Sequence, residues 1–189
     1  MLIAGICIPN EGSVRLHEKF GFKQISHMKE IGRKFDQWRD VGHWQLIFGS
    51  APKKILVLCT GNSCRSQIAE GYLRHFAGDQ AKVFSAGVET HGVNPRAIAT
   101  MKEDGIDISA HTSDNADEYR NIDFDFVITV CDHAREQCPC FPAKGGKFHQ
   151  NFPDPAKAQG TEEEIASEFR RVRDMIKLYC KQFVEDNLK

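Results

Sequence analysis

The run Cys59-Thr60-Gly61-Asn62-Ser63-Cys64-Arg65-Ser66 combines the residue types needed for a displacement on an oxyanion. Cys59 is a nucleophile, and the planar fork of donors on Arg65 can hold two oxygens of one anion. An apolar run, Ile55-Leu56-Val57-Leu58, leads in, and a helix-like run from Gln67 to Phe76 leads out. A strand therefore delivers the cysteine onto a tight loop with a helix starting behind it. The N–H groups of Thr60, Gly61, Asn62, Ser63, Cys64 and Arg65, with the positive helix end, are expected to converge on one tetrahedral anion. The same field is expected to lower the pKa of Cys59 and make it a thiolate near neutral pH. A Cys-x5-Arg spacing alone recurs by chance; its place between a buried-type strand and a helix makes it specific.

Hydrolysis of a phosphate ester through cysteine needs one thiolate, one clamp and one proton donor. This chain carries more sulfur than that. A second apolar run, Phe126-Val127-Ile128-Thr129-Val130, ends at Cys131, and Cys138 follows after six intervening residues. In a parallel sheet Cys59 and Cys131, both at carboxyl ends of strands, would open onto the same crevice. Two thiols can supply an electron pair by ending as a disulfide. A tetrahedral oxyanion that a thiolate can attack and then reduce is arsenate.

Residues 59–71 (CTGNSCRSQIAEG), 84–95 (FSAGVETHGVNP), 111–114 (HTSD), the Cys131/Cys138 spacing and Asp154-Pro155-Ala156 together resemble the thioredoxin-coupled arsenate reductases. That family shares its fold with the low-molecular-weight tyrosine phosphatases, and the resemblance covers about residues 53–189. It implies that Cys59 attacks arsenic, that Arg65 and the loop amides bind the oxygens, and that Ser66 hydrogen-bonds the thiolate. Asp154 would protonate the departing hydroxyl. Cys131 would then attack Cys59 and release arsenite, and Cys138 would attack Cys131, leaving a disulfide for thioredoxin. A mycothiol or glutathione system is the alternative donor. The resemblance also implies a potassium ion held by Asn62, Glu70, Ser85 and Asp114, oxygen donors that suit a hard cation.

The relay makes a geometric demand. Asp132–Gln137 reads as a short helix, with Asp132 as N-cap and Pro139 limiting it. Residues seven apart on a helix are ~10 Å apart along the axis, whereas a disulfide wants Cα atoms ~5.5–6 Å apart. The helix must unwind or loop out before that bond closes.

Two other functions remain open on the residues alone. A cysteine-dependent phosphatase would use the same loop, and a thiol module could bind arsenite without turnover. Tyrosine phosphatases of this fold usually carry an aromatic after Asp-Pro; Ala156 here favours a small inorganic substrate. Cys140 is a second candidate for the terminal thiol, Cys64 reads as structural, and Cys180 falls on the apolar face of the last helix. His91, His111, His133 and His149 are scattered without metal-ligand spacing. Lys144-Gly145-Gly146-Lys147 reads as a solvated turn.

From Lys53 onward strands at 55–58, 82–85, 126–131 and 147–152 alternate with helices at 63–76, 95–103, 115–119 and 161–184. The expected fold is α/β, a small parallel sheet of about four strands with helices on both faces. Thr161 and Glu164 form a capping box for the last helix, whose apolar stripe is core. Residues 1–49 hold both tryptophans, and residues 50–52 read as a linker. Asn10–Leu16, Phe20-Gly21-Phe22 and Asp40–Gln45 resemble the closing part of a phosphinothricin-type GNAT acetyltransferase. The acetyl-CoA loop of that family would lie upstream, so a non-catalytic fragment is expected, with apolar strand edges that favour self-association.

The 189 residues suit one domain plus an appendage, and 41% hydrophobic content suffices for a core. A net charge of −1 steers the chain toward neither nucleic acid nor a membrane. The start lacks a basic leader, and thiols that must be re-reduced belong in a reducing compartment. Cytoplasm is the expected location.

Overall fold

A computed structural model describes residues 1–47, 51–137 and 141–188. Gly49 and Ser50 at the expected domain junction, and Cys138 and Cys140 of the thiol series, lie outside the described residues. The chain divides into two compact units, Met1–Ser50 and Ala51–Lys189.

The first unit runs β1 (Leu2–Ile8), α1 (Glu11–Lys19), β2 (Lys23–Lys34) and β3 (Gln37–Leu46). Its antiparallel sheet has the order β1-β3-β2. Asn10 caps α1 by accepting from Ser13 N at 3.1 Å. Trp44 and Ile6 are buried, whereas Leu2, Ile3, Phe20, Ile25 and Trp38 are exposed.

The second unit is built around β4 (Lys53–Cys59), β5 (Ala81–Gly87), β6 (Phe124–Thr129) and β7 (Ala143–His149). All neighbours are parallel, in the order β5-β4-β6-β7. From Ile55 to Cys59, β4 is an unbroken apolar run because both its faces are covered there. Ile55, Val57 and Cys59 face one cluster and Leu56 and Leu58 the other, the two-residue period of a strand. The first cluster packs against α2 (Arg65–Ala77), α3 (Pro95–Glu103) and α5 (Glu162–Asn187). The second is closed by Ala116 and Tyr119 of a 3-10 turn at Ala116–Tyr119, with Phe124 and Phe141.

Local chemistry sets the element ends. Asn94 caps α3, with Pro95 fixing its first turn. The Thr161–Glu164 capping box starts α5. Phe169, Val172, Ile176, Cys180 and Phe183 then form the buried stripe, as the spacing predicts. The short helix α4 spans Asp132–Gln137 as expected, but its cap is Cys131, whose Sγ accepts from Ala134 N at 3.4 Å. Asp132 instead accepts from His149 and Asn151.

The sequence reading also misplaces β7. Lys144–Lys147 is not a turn but part of that strand, lying alongside β6 at the sheet edge. A Cβ on Gly145 would stand 2.4 Å from the Phe126 ring, so glycine here admits an aromatic beneath the strand. Among the described residues no helix is long and apolar enough to cross a membrane.

Candidate active site

The loop after β4 places its carbonyls first. Thr60 O accepts from Glu89 N at 2.9 Å, Gly61 O from His91 N at 3.1 Å, and Ser63 O from Asn94 N at 3.0 Å. Asn62 O accepts from Gln67 Nε2 at 3.0 Å, and Cys64 O from Ile68 N at 3.0 Å. Each peptide plane fixes the next N–H opposite its own carbonyl. With five carbonyls drawn outward, the N–H groups of Gly61 to Arg65 turn to the loop's interior. That orientation is what an anion cradle requires.

Asn62 is the bolt of the loop. It is fully buried at φ +43°, a left-handed conformation that Asn tolerates better than most residues. Its Nδ2 donates to Ser85 Oγ at 2.8 Å and Ser66 Oγ at 3.1 Å. Its Oδ1 accepts from Gln67 Nε2 and from Asp114 N, both at 2.9 Å. Ser66 Oγ accepts from Asn62, which leaves its own O–H proton free to be donated elsewhere. Gly87, beside Cys59 in β5, permits the close approach: a Cβ there would stand 2.6 Å from Thr60 O and 2.8 Å from Asn62 N.

Cys59, Thr60, Gly61, Ser63, Cys64, Arg65, Cys131 and Asp154 line one crevice of about 620 Å³. Cys59 and Cys131, from neighbouring strand ends, approach to 3.7 Å between sulfurs and both are free thiols. Arg65 donates through Nη1 to Phe152 O at 3.1 Å and through Nη2 to Asp154 Oδ2 at 3.0 Å. Its Nε is buried without a hydrogen-bond partner among the described residues. Asp154 also accepts from Ala156 N at 3.2 Å, so it forms its turn and faces the crevice at once.

The electrostatics correct one expectation. The Cys59 thiol is pushed up, not down, because it donates to Cys131 and because it is buried. Cys131 is pushed down to about 5, chiefly by that same hydrogen bond, with help from Thr60, Ala134 N–H and Arg65. The sulfurs act as one titrating pair that loses its first proton readily and holds the second tightly. The loop field is present, and the first negative charge belongs to the pair, with the donors around Cys131 favouring that side. Cys64 is pushed up to about 12, mainly by burial and then by the Asp154 charge, which suits a structural thiol.

Beneath the loop, Asn62, Glu70, Ser85 and Asp114 meet in one network. Ser85 Oγ donates to Glu70 Oε2 at 2.6 Å, and Tyr119 OH to Asp114 Oδ2 at 2.5 Å. The Glu70 carboxyl is pushed up by burial, with the Asp114 charge acting in the same direction and Ser85 and Arg74 offsetting part of the rise. Two carboxylates and two neutral side chains with oxygen donors meet here, the chemistry a hard monovalent cation prefers. Among the described residues no group of three His, Cys, Asp or Glu side chains could hold a metal ion.

The histidines serve otherwise. His111 is pushed down to about 4 by burial and the nearby Arg74 charge, so its ring is neutral and hydrogen-bonds Gln67 Oε1 at 3.1 Å. His91 packs on the Gly61 backbone, where a Cβ would meet its ring at 2.6 Å. His133 approaches Thr60 Oγ1 at 3.3 Å. Scattered in the sequence and without metal-ligand spacing, these rings are loop partners in the structure. The two-residue step from Cys131 to His133 was the available signal.

The family profile described as low molecular weight phosphotyrosine protein phosphatase matches residues 54–189. The chain is 53% identical over 133 residues to the arsenate reductase of Halalkalibacterium halodurans, covering 70% of this chain and 96% of that protein. It is 52% identical to the arsenate reductase of Bacillus subtilis, with the same coverage of 70% and 96%. A solved arsenate reductase in its phosphate-binding state superposes with a TM-score of 0.59 at 32% identity, covering 71% of this chain and 98% of its own. The chain therefore belongs, through residues 54–189, to the low molecular weight phosphotyrosine protein phosphatase family, alongside its arsenate reductases.

Proposed function

We propose that this protein reduces arsenate to arsenite. The approach of Cys59 and Cys131 to 3.7 Å at the mouth of an oxyanion loop carries the reading. A phosphatase has use for the first thiol but none for the second.

The chemistry begins when the proton shared by the pair passes to Cys131 and frees the Cys59 thiolate. Cys59 Sγ attacks arsenic, and a hydroxyl leaves as water with a proton from Asp154. The loop amides and Arg65 carry the charge on the remaining oxygens. After loss of its proton, Cys131 Sγ attacks Cys59 Sγ. The sulfur–arsenic electron pair stays on arsenic, which falls from the pentavalent to the trivalent state and departs as arsenite. Cys138 then attacks Cys131, restoring Cys59 and leaving a disulfide that thioredoxin reduces in the cytoplasm. Ser66 accepts from Asn62 and keeps its own O–H to donate to the Cys59 thiolate. A potassium ion, held by Asn62, Glu70, Ser85 and Asp114, would neutralise carboxylate charge beneath the loop.

Residues 1–49 we read as a non-catalytic, GNAT-like segment joined through residues 50–52 to the reductase domain. The motif likeness, with the β–α–β–β order of that segment, supports this.

The test is arsenite release with thioredoxin, thioredoxin reductase and NADPH. Wild type should turn over repeatedly, and Cys59→Ser, Cys131→Ser and Cys138→Ser should not. Turnover indifferent to Cys131 and Cys138, with hydrolysis of aryl phosphates retained, would make the protein a phosphatase. Arsenite binding with no turnover would make it a thiol binding module.

A further inference from the structure

Thr60 Oγ1 lies 3.3 Å from Cys131 Sγ and 3.3 Å from His133 Nδ1. A threonine hydroxyl owns one proton, so it can donate in one of these directions only. A Cys131 thiolate has no proton to give, and Thr60 must donate to it. Thr60 Oγ1 is then the acceptor in its contact with the ring, and His133 Nδ1 must carry a hydrogen. The donor chain runs one way, from His133 Nδ1–H to Thr60 Oγ1 and from Thr60 Oγ1–H to Cys131 Sγ. If the hydroxyl turned toward His133, the thiolate would keep Cys59 S–H and Ala134 N–H as its close donors among the described residues.

We propose that His133 is a positioning residue for the second nucleophile: by donating to Thr60 it commits the hydroxyl proton to Cys131 and holds that sulfur as the thiolate that attacks Cys59. The proposal rests on the reductase reading for what Cys131 attacks; the hydrogen-bond chain does not depend on it. His133 needs no contact with the oxyanion. It sits in the first turn of α4, two residues after the sulfur it serves, with its ring directed back over the loop.

Other charged and titratable groups line the same crevice. Cys59, Cys64 and Arg65 come from the loop side, and His91 from the segment before α3. Asp132 comes from α4 itself, and Asp154 and Lys157 from the turn after β7. Of these, Cys59 acts on Cys131 by a direct hydrogen bond and Arg65 by charge. His133 is distinguished by acting through Thr60, and a double-variant cycle separates the two modes.

The experiment uses the full reduced chain. Iodoacetamide alkylation of Cys131, resolved from the other thiols by mass spectrometry, is followed against pH. His133→Ala should move the Cys131 midpoint up by about one pH unit, making alkylation below the midpoint about tenfold slower. His133→Asn, whose amide can place an N–H near the Nδ1 position, should restore the wild-type profile. Thr60→Val should raise the midpoint at least as far, and adding His133→Ala to it should change nothing more. A His133→Ala profile superimposable on wild type would overturn the proposal. So would an Asn variant that behaves like Ala, or shifts that add in the double variant. Alkylation needs no arsenate, so this result stands apart from the outcome of the arsenite-release assay.

Discussion

Cys59 and Cys131 are 72 positions apart in the chain, yet their sulfurs approach to 3.7 Å. The parallel pairing of β4 with β6 brings them together, and Val130 N donates to Leu58 O at 3.0 Å just before both cysteines. Between them they form an acid with one easy and one difficult proton.

Replacing Cys131 by serine should therefore activate Cys59 as a thiolate while abolishing turnover. The Cys59 thiol is raised first by its hydrogen bond to Cys131 and then by burial, so removing the neighbouring thiolate must lower it. Site-resolved alkylation should show the Cys59 midpoint moving to lower pH in Cys131→Ser, with arsenite release lost. An unmoved or higher midpoint would mean that burial alone controls the nucleophile.

Asn62 should be among the least replaceable residues of the loop. Asn62→Ala leaves Ser85, Gln67 and the Asp114 N–H short of a partner and puts alanine at φ +43°. A loss of roughly 2–4 kcal/mol is expected from the unpaired buried groups and the strain. Gly87→Ala should be equally disruptive for another reason, since its Cβ meets Thr60 O and Asn62 N inside contact distance. Urea unfolding measures the first effect. Cys59 alkylation measures the second, which should be slowed even where the variant stays folded.

The loop was legible in the sequence because its chemistry is local: the apolar run of β4, Cys59, Arg65 and the start of α2 are contiguous. The crevice was legible too, since two cysteines at parallel strand ends must face one side. The charge distribution was not. It depends on which sulfur receives Thr60 O–H, a contact between residues 71 positions apart, and on the sulfur cap of α4 through Ala134 N–H. β7 was misread at Lys144–Lys147 because Gly145-Gly146 looks like a turn, and nothing nearby reveals that the Phe126 ring demands glycine. The cap of α4 was misassigned because a sulfur, not a carboxylate, takes the role.

Acidification should weaken the fold through His111. Its pKa is pushed down from 6.5 to about 4, so between those values the unfolded chain binds a proton that the folded one refuses. The sign follows: stability is full above pH 6.5 and is lost as pH falls toward 4. On the order of 1–3 kcal/mol is at stake. Glu70, pushed up by burial, gives the opposite slope, so the informative quantity is the difference between wild type and His111→Gln. Urea midpoints at pH 7.5 and 5 should fall less in the variant. Equal falls would assign the acid sensitivity to other groups.

Closing a bridge between Cys131 and Cys138 should dismantle α4, and from one end. Cys131 Sγ caps the helix through Ala134 N–H at 3.4 Å, and a sulfur bonded to Cys138 must turn away from that position. A helix of six residues has little stability of its own once uncapped. Its first residue is held independently, since Asp132 accepts from His149 Nε2 at 3.0 Å and from Asn151 Nδ2 at 2.6 Å. Unwinding should therefore spread through residues 133–137 while Asp132 stays anchored to the end of β7. Amide exchange compared between reduced and oxidised protein should show protection lost across that stretch and kept in β6 and β7. Equal protection of α4 in both states would mean that the terminal disulfide forms without the helix opening, and would overturn the prediction.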